Sequence, residues 1–417
     1  MVTTDTADTP SAFVGIDWAD QKHDIWIHPT EGSAPFHEVI DSKSEDLQDW
    51  ILKMRERFAR EGAKLMVCLE QSKGSLIYQL MEYDFFVLYP INPKTLAKFR
   101  EAFRPSGAVG DESDADLLCE LVRVHRHRLK AWEPDDAQTR KLAAFCVKRR
   151  QAVQTSVRLV QRLRAELKTY FPLVLEELDL KTVLACDFLQ RWPRLEELRR
   201  SKPQTIRKFF YAHNYRRGDK LEAFLERITA AAAVTTDSAI IEPAAAHVRL
   251  LAAQLRVILV ALPQFDEQIA TLFQAHPDAP IFESFPGAGS QLAPRLLTAF
   301  GTDRARIESP EQMSVISGVA PIRIASGKSS VTVKRWACSK FLRQSFHEFA
   351  RLSIAHCRWA QAFYDQQRAR NKLHHTAVRA LAFKWIRILY ACWKNRTPYN
   401  DTLYSERLKQ SGSAFAC

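Results

Sequence analysis

FVGIDWADQKHDIWIH, running from Phe13 to His28, decides the fold of the first part of the chain. Phe13 to Ile16 is a short apolar run that stops on the carboxylate of Asp17, and Asp24 to His28 alternates apolar and polar side chains. Strict alternation places one face of a strand in a core and the other against water or a second layer. Pro35 to Ile40 adds a third, weaker strand, so the region opens as a three-strand meander. Further along, Ser42 and Ser44 offer hydroxyls to cap a helix reaching about Arg60. Leu65 to Leu69 is an apolar strand ending at Glu70, a helix is expected over 75–83, and Phe85 to Tyr89 is a further strand. Helices near 93–103 and 113–124 complete the unit.

Three strands followed by alternating helices and strands predict a ribonuclease-H-like, α/β domain over 13–132, after a disordered N-terminus at 1–12. Beyond Pro134 no glycine or proline interrupts the chain until after Tyr170. Leu142, Phe145, Val153, Val157, Val160, Leu163 and Leu167 give that stretch the apolar stripe of one long helix. A second long helix is expected from Pro243 to about Ala275, interrupted or kinked near Pro263, so 133–279 reads as a helical, coiled-coil region. The mixed stretch 172–241, with Trp192, Phe209, Phe210 and Tyr211, reads as an insertion without an assigned role. The segment 280–404 reads as a mostly helical C-terminal domain with a Gly/Ser-rich break at Ala325 to Ser330, and 405–417 as a flexible tail. The fold class expected is therefore α/β plus α.

Sixty Lys and Arg against 48 Asp and Glu give a net charge of +12. The distribution says more than the sum. Between Leu121 and Tyr170 there are 13 basic and 4 acidic residues, and between Ala320 and Asn400 there are 16 and 2, whereas Phe171 to Val319 is balanced at 17 and 18. Two basic blocks around a neutral middle suit an extended polyanion. The eight cysteines form no CxxC pair, which argues against a zinc ribbon or a disulfide framework. The polar, acidic start MVTTDTADTP is not expected to be a signal peptide, and no span of about 18 uncharged apolar residues marks a membrane helix. The compartment expected is a reducing cytoplasm.

Four carboxylates form the first chemical constellation. Asp17 and Glu70 stand at the ends of strands, and Asp111 and Asp114 form a D-x-x-D at a helix start, one turn apart on one face. Strand-end carboxylates project into the crevice beyond the edge of an α/β sheet. Four converging acids repel one another unless cations neutralise them, and oxygen ligands of this kind suit Mg²⁺, with Mn²⁺ as the substitute. The plainer reading makes each of them a turn or helix-cap residue, with Asp116 and Glu112 facing solvent.

The second constellation lies near the C-terminus. FPGAGSQLAPRLL, from Phe285, resembles a helix-hairpin-helix turn in which Gly287 and Gly289 let the backbone approach a phosphate. An ordinary glycine turn between packed helices is the alternative. Ser326-Gly327-Lys328-Ser329-Ser330 follows, and then Lys334, Arg335, Lys340 and Arg343, which read as nucleic-acid contacts. A P-loop is rejected because the first glycine of that motif is missing and no strand is expected to feed the loop. Serine needs a base or a cation to become a nucleophile, and by residue type alone Ser326, Ser329 and Ser330 are equivalent. Of Trp336, Trp359, Trp385 and Trp393, most are expected in a helical core.

Together VGIDWADQKHDIWI, VCLE, DESDADLLCEL, FPGAGSQLAPRLLTAFG and SGVAPIRIASGKSS resemble the bacterial insertion-sequence transposases with a DEDD-type, RuvC-like domain and a C-terminal serine domain, the recombinases guided by a bridge RNA. The resemblance implies that Asp17, Glu70, Asp111 and Asp114 bind Mg²⁺ and that Ser326 attacks a DNA phosphodiester to form a phosphoserine intermediate. It implies donor and target DNA and a noncoding bridge RNA as partners. It also implies an active site completed between subunits, with dimers pairing into tetramers. Two other readings stand beside it: a metal-dependent junction endonuclease in which Ser326 is structural, and a non-catalytic nucleic-acid scaffold.

Overall fold

The structure, a computed structural model, describes residues 10–70, 74–103, 110–327 and 329–412. The chain divides into two units, residues 1–134 and 135–417.

The first unit is built on a five-stranded sheet. Its strands are β1 (Pro10–Trp18), β2 (Lys22–Pro29) and β3 (Phe36–Asp41), then β4 (Lys64–Leu69) and β5 (Phe86–Pro90), in the order β3-β2-β1-β4-β5. Strands β1, β2 and β3 pair antiparallel, while β4 and β5 run parallel to β1. The helices of the unit are α1 (Ser44–Phe58), α2 (Ser75–Leu80), α3 (Pro93–Phe103) and α4 (Asp111–His125). Alternation along β1 does what its sequence predicts. Ala12, Val14 and Ile16 bury with Leu47, Trp50, Ile51 and Met54 of α1, whereas Phe13 faces the cluster formed by Leu117, Leu118, Leu121 and Val122 of α4. β1 already begins at Pro10, so residues 10–12, expected to be disordered, belong to a strand; residues 1–9 lie outside the described residues. Neither expected serine caps α1. Lys43 is the N-cap residue, Ser44 is the first helical residue, and the Ser42 hydroxyl donates to the Asp20 carbonyl at 2.5 Å.

In the second unit α5 (Ala137–Tyr170) starts on the carboxylate of Asp136, which accepts from the Thr139 amide. Helix α6 (Leu173–Glu177) leads through α7 (Val183–Arg191), α8 (Leu195–Arg200), α9 (Pro203–Ala212) and α10 (Gly218–Ala230) to α11 (Ser238–Gln274). Gln138 donates to the Leu272 carbonyl, Arg149 pairs with Asp266, and Arg162 bonds His247. Ascending numbers on α5 thus meet descending numbers on α11, so the two helices are antiparallel. α11 runs unbroken through Pro263, where an interruption was expected. It is apolar and long enough to cross a membrane by length and composition, the one such helix among the described residues. Its buried Val248, Leu251, Ala252 and Leu255 join a core with α5. Between the two long helices, α6 to α10 build that core outward around Phe188, Trp192, Phe210 and Phe224. This is the stretch read as an insertion without an assigned role.

The remaining helices are α12 (Ala279–Glu283), α13 (Gly289–Phe300), α14 (Pro310–Ile316), α15 (Lys340–His356), α16 (Arg358–Ala369), α17 (His374–Lys394) and α18 (Asp401–Gln410). Trp359, Trp385 and Trp393 lie in their core with the indole N–H groups satisfied by Tyr399, Ser353 and the Gly301 carbonyl. Two expectations are corrected here. The Gly/Ser-rich break is an antiparallel ribbon of β6 (Ile322–Ser326) and β7 (Ser329–Val333), so a strand does lead into Ser326-Gly327. α18 continues to Gln410, into the tail read as flexible from 405, because its Leu408 packs into the core.

Candidate functional site

The acidic group of the first unit grows out of Gly15. A β-carbon at this position would lie 2.0 Å from the Ala115 carbonyl oxygen and 2.3 Å from the Cys119 amide nitrogen. Only hydrogen fits there, so the first turns of α4 press directly on β1. The Cys119 thiol bonds the Phe13 carbonyl across the same contact. Asp17, two residues on along the same strand face, is thereby brought close to the start of α4, where Asp111 is exposed and Asp114 buried. Glu70 stands one residue beyond β4, the parallel neighbour of β1. Neither Asp111 nor Asp114 caps α4, since the N-cap residue is Gly110 and has no side-chain cap.

Asp17 reports this convergence electrically. Its carboxyl is pushed up to about 6, first by burial and then by the charges of Asp114, Asp111, Glu70 and Asp24. The four residues selected from sequence thus share one electrostatic neighbourhood. The fifth, Asp24, was missed. It lies opposite Asp17 in the β1–β2 register and is buried, holding His37 Nε2 at 3.0 Å. Two cations were missed as well. Arg100 of α3 forms a double contact with Asp114, its Nε at 2.9 Å from Oδ1. Lys22 Nζ lies 3.4 Å from Asp24 and 3.9 Å from Asp111. As these side chains stand, no three His, Cys, Asp or Glu residues among those described gather closely enough to hold a metal ion.

In the second unit Ser326 closes β6 at the tip of the ribbon, exposed, in register with Ser329. Gly327 at φ +54° makes the sharp turn; Lys328 lies outside the described residues. Ser326 and Ser329 share a ribbon face with Ile324 and Val331, which are 56% and 55% exposed. Ser330 lies on the other face and accepts from Arg323 Nε at 2.8 Å. The expected nucleic-acid contacts divide. Lys334 and Lys340 are exposed, whereas Arg335 donates to the Ala320 carbonyl and Arg343 to the Arg335 carbonyl, holding the segment after the ribbon in place. Gly287 and Gly289 both have positive φ, but they too differ. Gly287 packs on the α15 backbone at Leu352 and Ser353, which suits a packing turn rather than a phosphate contact, while Gly289 is open at the start of α13.

These two groups fall in the two segments that match known families. The IS110-type DEDD transposase family matches residues 14–172, and the transposase IS116/IS110/IS902 family matches 279–365. The chain belongs to the IS110/IS116 transposase family. The first match contains all four predicted carboxylates and the second contains the serine ribbon. A relative over nearly the whole length is the mini-circle protein of Streptomyces coelicolor named as a transposase for IS117. The two are 24% identical over 94% of this chain and 96% of the relative. The uncharacterized 42 kDa protein of insertion element IS900 from Mycobacterium paratuberculosis is 25% identical over 81% of this chain and 82% of its own. The uncharacterized 43.6 kDa protein of IS110 from Streptomyces coelicolor is 26% identical over 72% and 74%.

Proposed function

We propose that this family member is an insertion-sequence transposase that cuts and rejoins DNA with Ser326 as nucleophile and a divalent cation held by Asp17, Glu70, Asp111 and Asp114. The observation that carries the reading is the charge convergence on Asp17, raised to about 6 by burial and four neighbouring carboxylates inside the segment matched to DEDD transposases. The strand order β3-β2-β1-β4-β5 supports a RuvC-like, ribonuclease-H-type domain, and the antiparallel α5–α11 pair supports the coiled-coil reading.

The donor set fits a hard cation, because every candidate ligand is a carboxylate oxygen and their mutual repulsion is what a cation relieves. Mg²⁺, with Mn²⁺ as its substitute, would supply charge stabilisation for phosphoryl transfer. The chain's own residues do the rest. Lys22 and Arg100 neutralise part of the cluster and must give up Asp111 and Asp114 for a cation to take them. Ser326 Oγ bonds to phosphorus as the phosphorus–sugar oxygen bond breaks; the hydroxyl proton is lost and the departing sugar oxygen gains one. The phosphoserine keeps the energy of the diester, so reversal onto a different sugar hydroxyl exchanges strands without another cofactor. A noncoding RNA that selects donor and target DNA, and dimers pairing into tetramers, complete the proposal. The family resemblance supports both, and the two basic blocks support the nucleic-acid partners.

The test is covalent trapping. Full-length protein incubated with cognate DNA and Mg²⁺ should yield a protein–DNA adduct mapped to Ser326, absent in Ser326→Ala. Strand exchange at the normal rate by Ser326→Ala would overturn the serine chemistry and favour a nuclease in which the cluster acts alone. An adduct on Ser329 or Ser330 would move the nucleophile within the ribbon. Normal activity of Asp17→Ala would remove the metal role.

A further inference from the structure

Nine tryptophans are spread along the chain, and Trp336 alone is exposed. It shows 74% of its surface, while Trp359, Trp385 and Trp393, from the same unit, are buried in the core. A large apolar ring held in water forfeits the burial that normally stabilises it. The ring is nonetheless well placed. Lys334 Nζ lies 4.7 Å from its centroid, a cation over the π-face. The backbone around it is tied down on both sides. Arg335, the preceding residue, donates to the Ala320 carbonyl at 3.3 Å, and Arg343 of α15 donates to the Arg335 carbonyl. Cys338 touches Gly318, so the segment after the ribbon is also packed against the turn before it.

We propose that Trp336, backed by Lys334, is a stacking platform for an unpaired nucleobase of the DNA strand engaged by the serine ribbon. Charge chooses this occupant. From Pro321 to Phe341 the chain carries five Lys or Arg and no Asp or Glu. An apolar protein surface would gain nothing from that charge, whereas a DNA strand offers phosphates to the lysines and a π-face to the indole. Location narrows it further, because Trp336 follows β7, the strand paired with that of Ser326. A base lifted out of its stack beside a cut phosphodiester is thus met by a ring carried on an anchored stretch of backbone. Stacking of this kind tolerates any sequence, because every base presents a π-face. The inference rests on the proposed DNA transaction at the ribbon but not on which serine reacts.

The experiment uses full-length protein and a twelve-residue oligothymidine carrying one central 2-aminopurine, whose fluorescence falls when it stacks. Wild-type protein and Ser326→Ala should quench it equally. Trp336→Phe should keep most of the quench, and Trp336→Ala should lose it with roughly tenfold weaker binding, at an unchanged melting temperature since the side chain packs on no core. Lys334→Gln should weaken both. Quenching and affinity unchanged in Trp336→Ala would overturn the proposal, as would quenching seen only with the matching oligoribonucleotide. Should Ser326→Ala exchange strands normally while Trp336→Ala loses the quench, the serine chemistry fails and the platform stands.

Discussion

Asp17 is held in a place where its charge is unwelcome, and that has a measurable sign. Its carboxyl is raised from 3.8 to about 6, so in the absence of a divalent cation the folded state binds the proton more tightly than the unfolded chain does. The stabilisation this gives is fully present below the unfolded value and disappears as pH rises through about 6. At pH 8 the ionised group therefore costs stability, about 1–2 kcal/mol once solvent screening at a partly exposed site is discounted. Asp17→Asn should accordingly raise the melting temperature of the metal-free protein at pH 8 and leave it nearly unchanged at pH 4. Equal effects at both pH values, measured by calorimetry with chelator present, would mean that the neighbouring carboxylates do not act on Asp17. Divalent-cation affinity should also fall as pH drops below about 6, because the proton and the cation compete for the same oxygens.

Between elements, the contact that matters is β1 on α4. Gly15→Ala would drive a methyl into the Ala115 carbonyl and the Cys119 amide, both backbone atoms that cannot rotate away. The expected cost is about 3 kcal/mol, with loss of divalent-cation binding because Asp111 and Asp114 are displaced relative to Asp17. Calorimetric titration with Mn²⁺ beside a thermal melt checks both; a variant of normal stability and affinity would show that α4 does not rest on Gly15. The helices α6 to α10 are a separate case. Phe188 is wholly buried among Trp192, Phe210 and Phe224, so Phe188→Ala should destabilise by about 3–5 kcal/mol. Hydrogen exchange should quicken across 173–230 and stay unchanged in β1 to β5. Uniform quickening over the whole chain would contradict a locally organised core.

For the whole molecule the dominant quantity is charge. Two basic blocks, 13 against 4 and 16 against 2, flank a balanced middle. If six phosphates are neutralised, affinity for duplex DNA should drop about a thousandfold between ~50 and ~200 mM salt. A nearly flat salt dependence, measured by fluorescence anisotropy, would leave the basic blocks without a nucleic-acid role. Helix α11 is anchored by both kinds of contact: its buried Val248, Leu251, Ala252 and Leu255 join the core that includes α5, and its Arg249 and Arg256 pair with Glu197 and Asp187.

Local pattern was enough for much of this. Alternation along Phe13 to His28 marks the strands and their faces, and the apolar stripe from Leu142 to Leu167 marks α5, because periodicity is written in neighbouring residues. The acids at strand and helix ends were legible for the same reason. What pattern could not supply was partnership. Asp24 joins the cluster only through the β1–β2 register, and Arg100 meets Asp114 only because α3 lies beside α4. The ribbon was hidden because Ile322 to Ala325 is too short and too exposed to show a buried strand's signature; its pairing is made by the turn at Gly327. The exposure of Trp336 was equally invisible, since a tryptophan among basic residues reads the same buried or bare. The sequence by itself determined the elements and their charged ends. Tertiary structure decided which ends share a field and which ring faces water, because those depend on contacts between residues far apart in the chain.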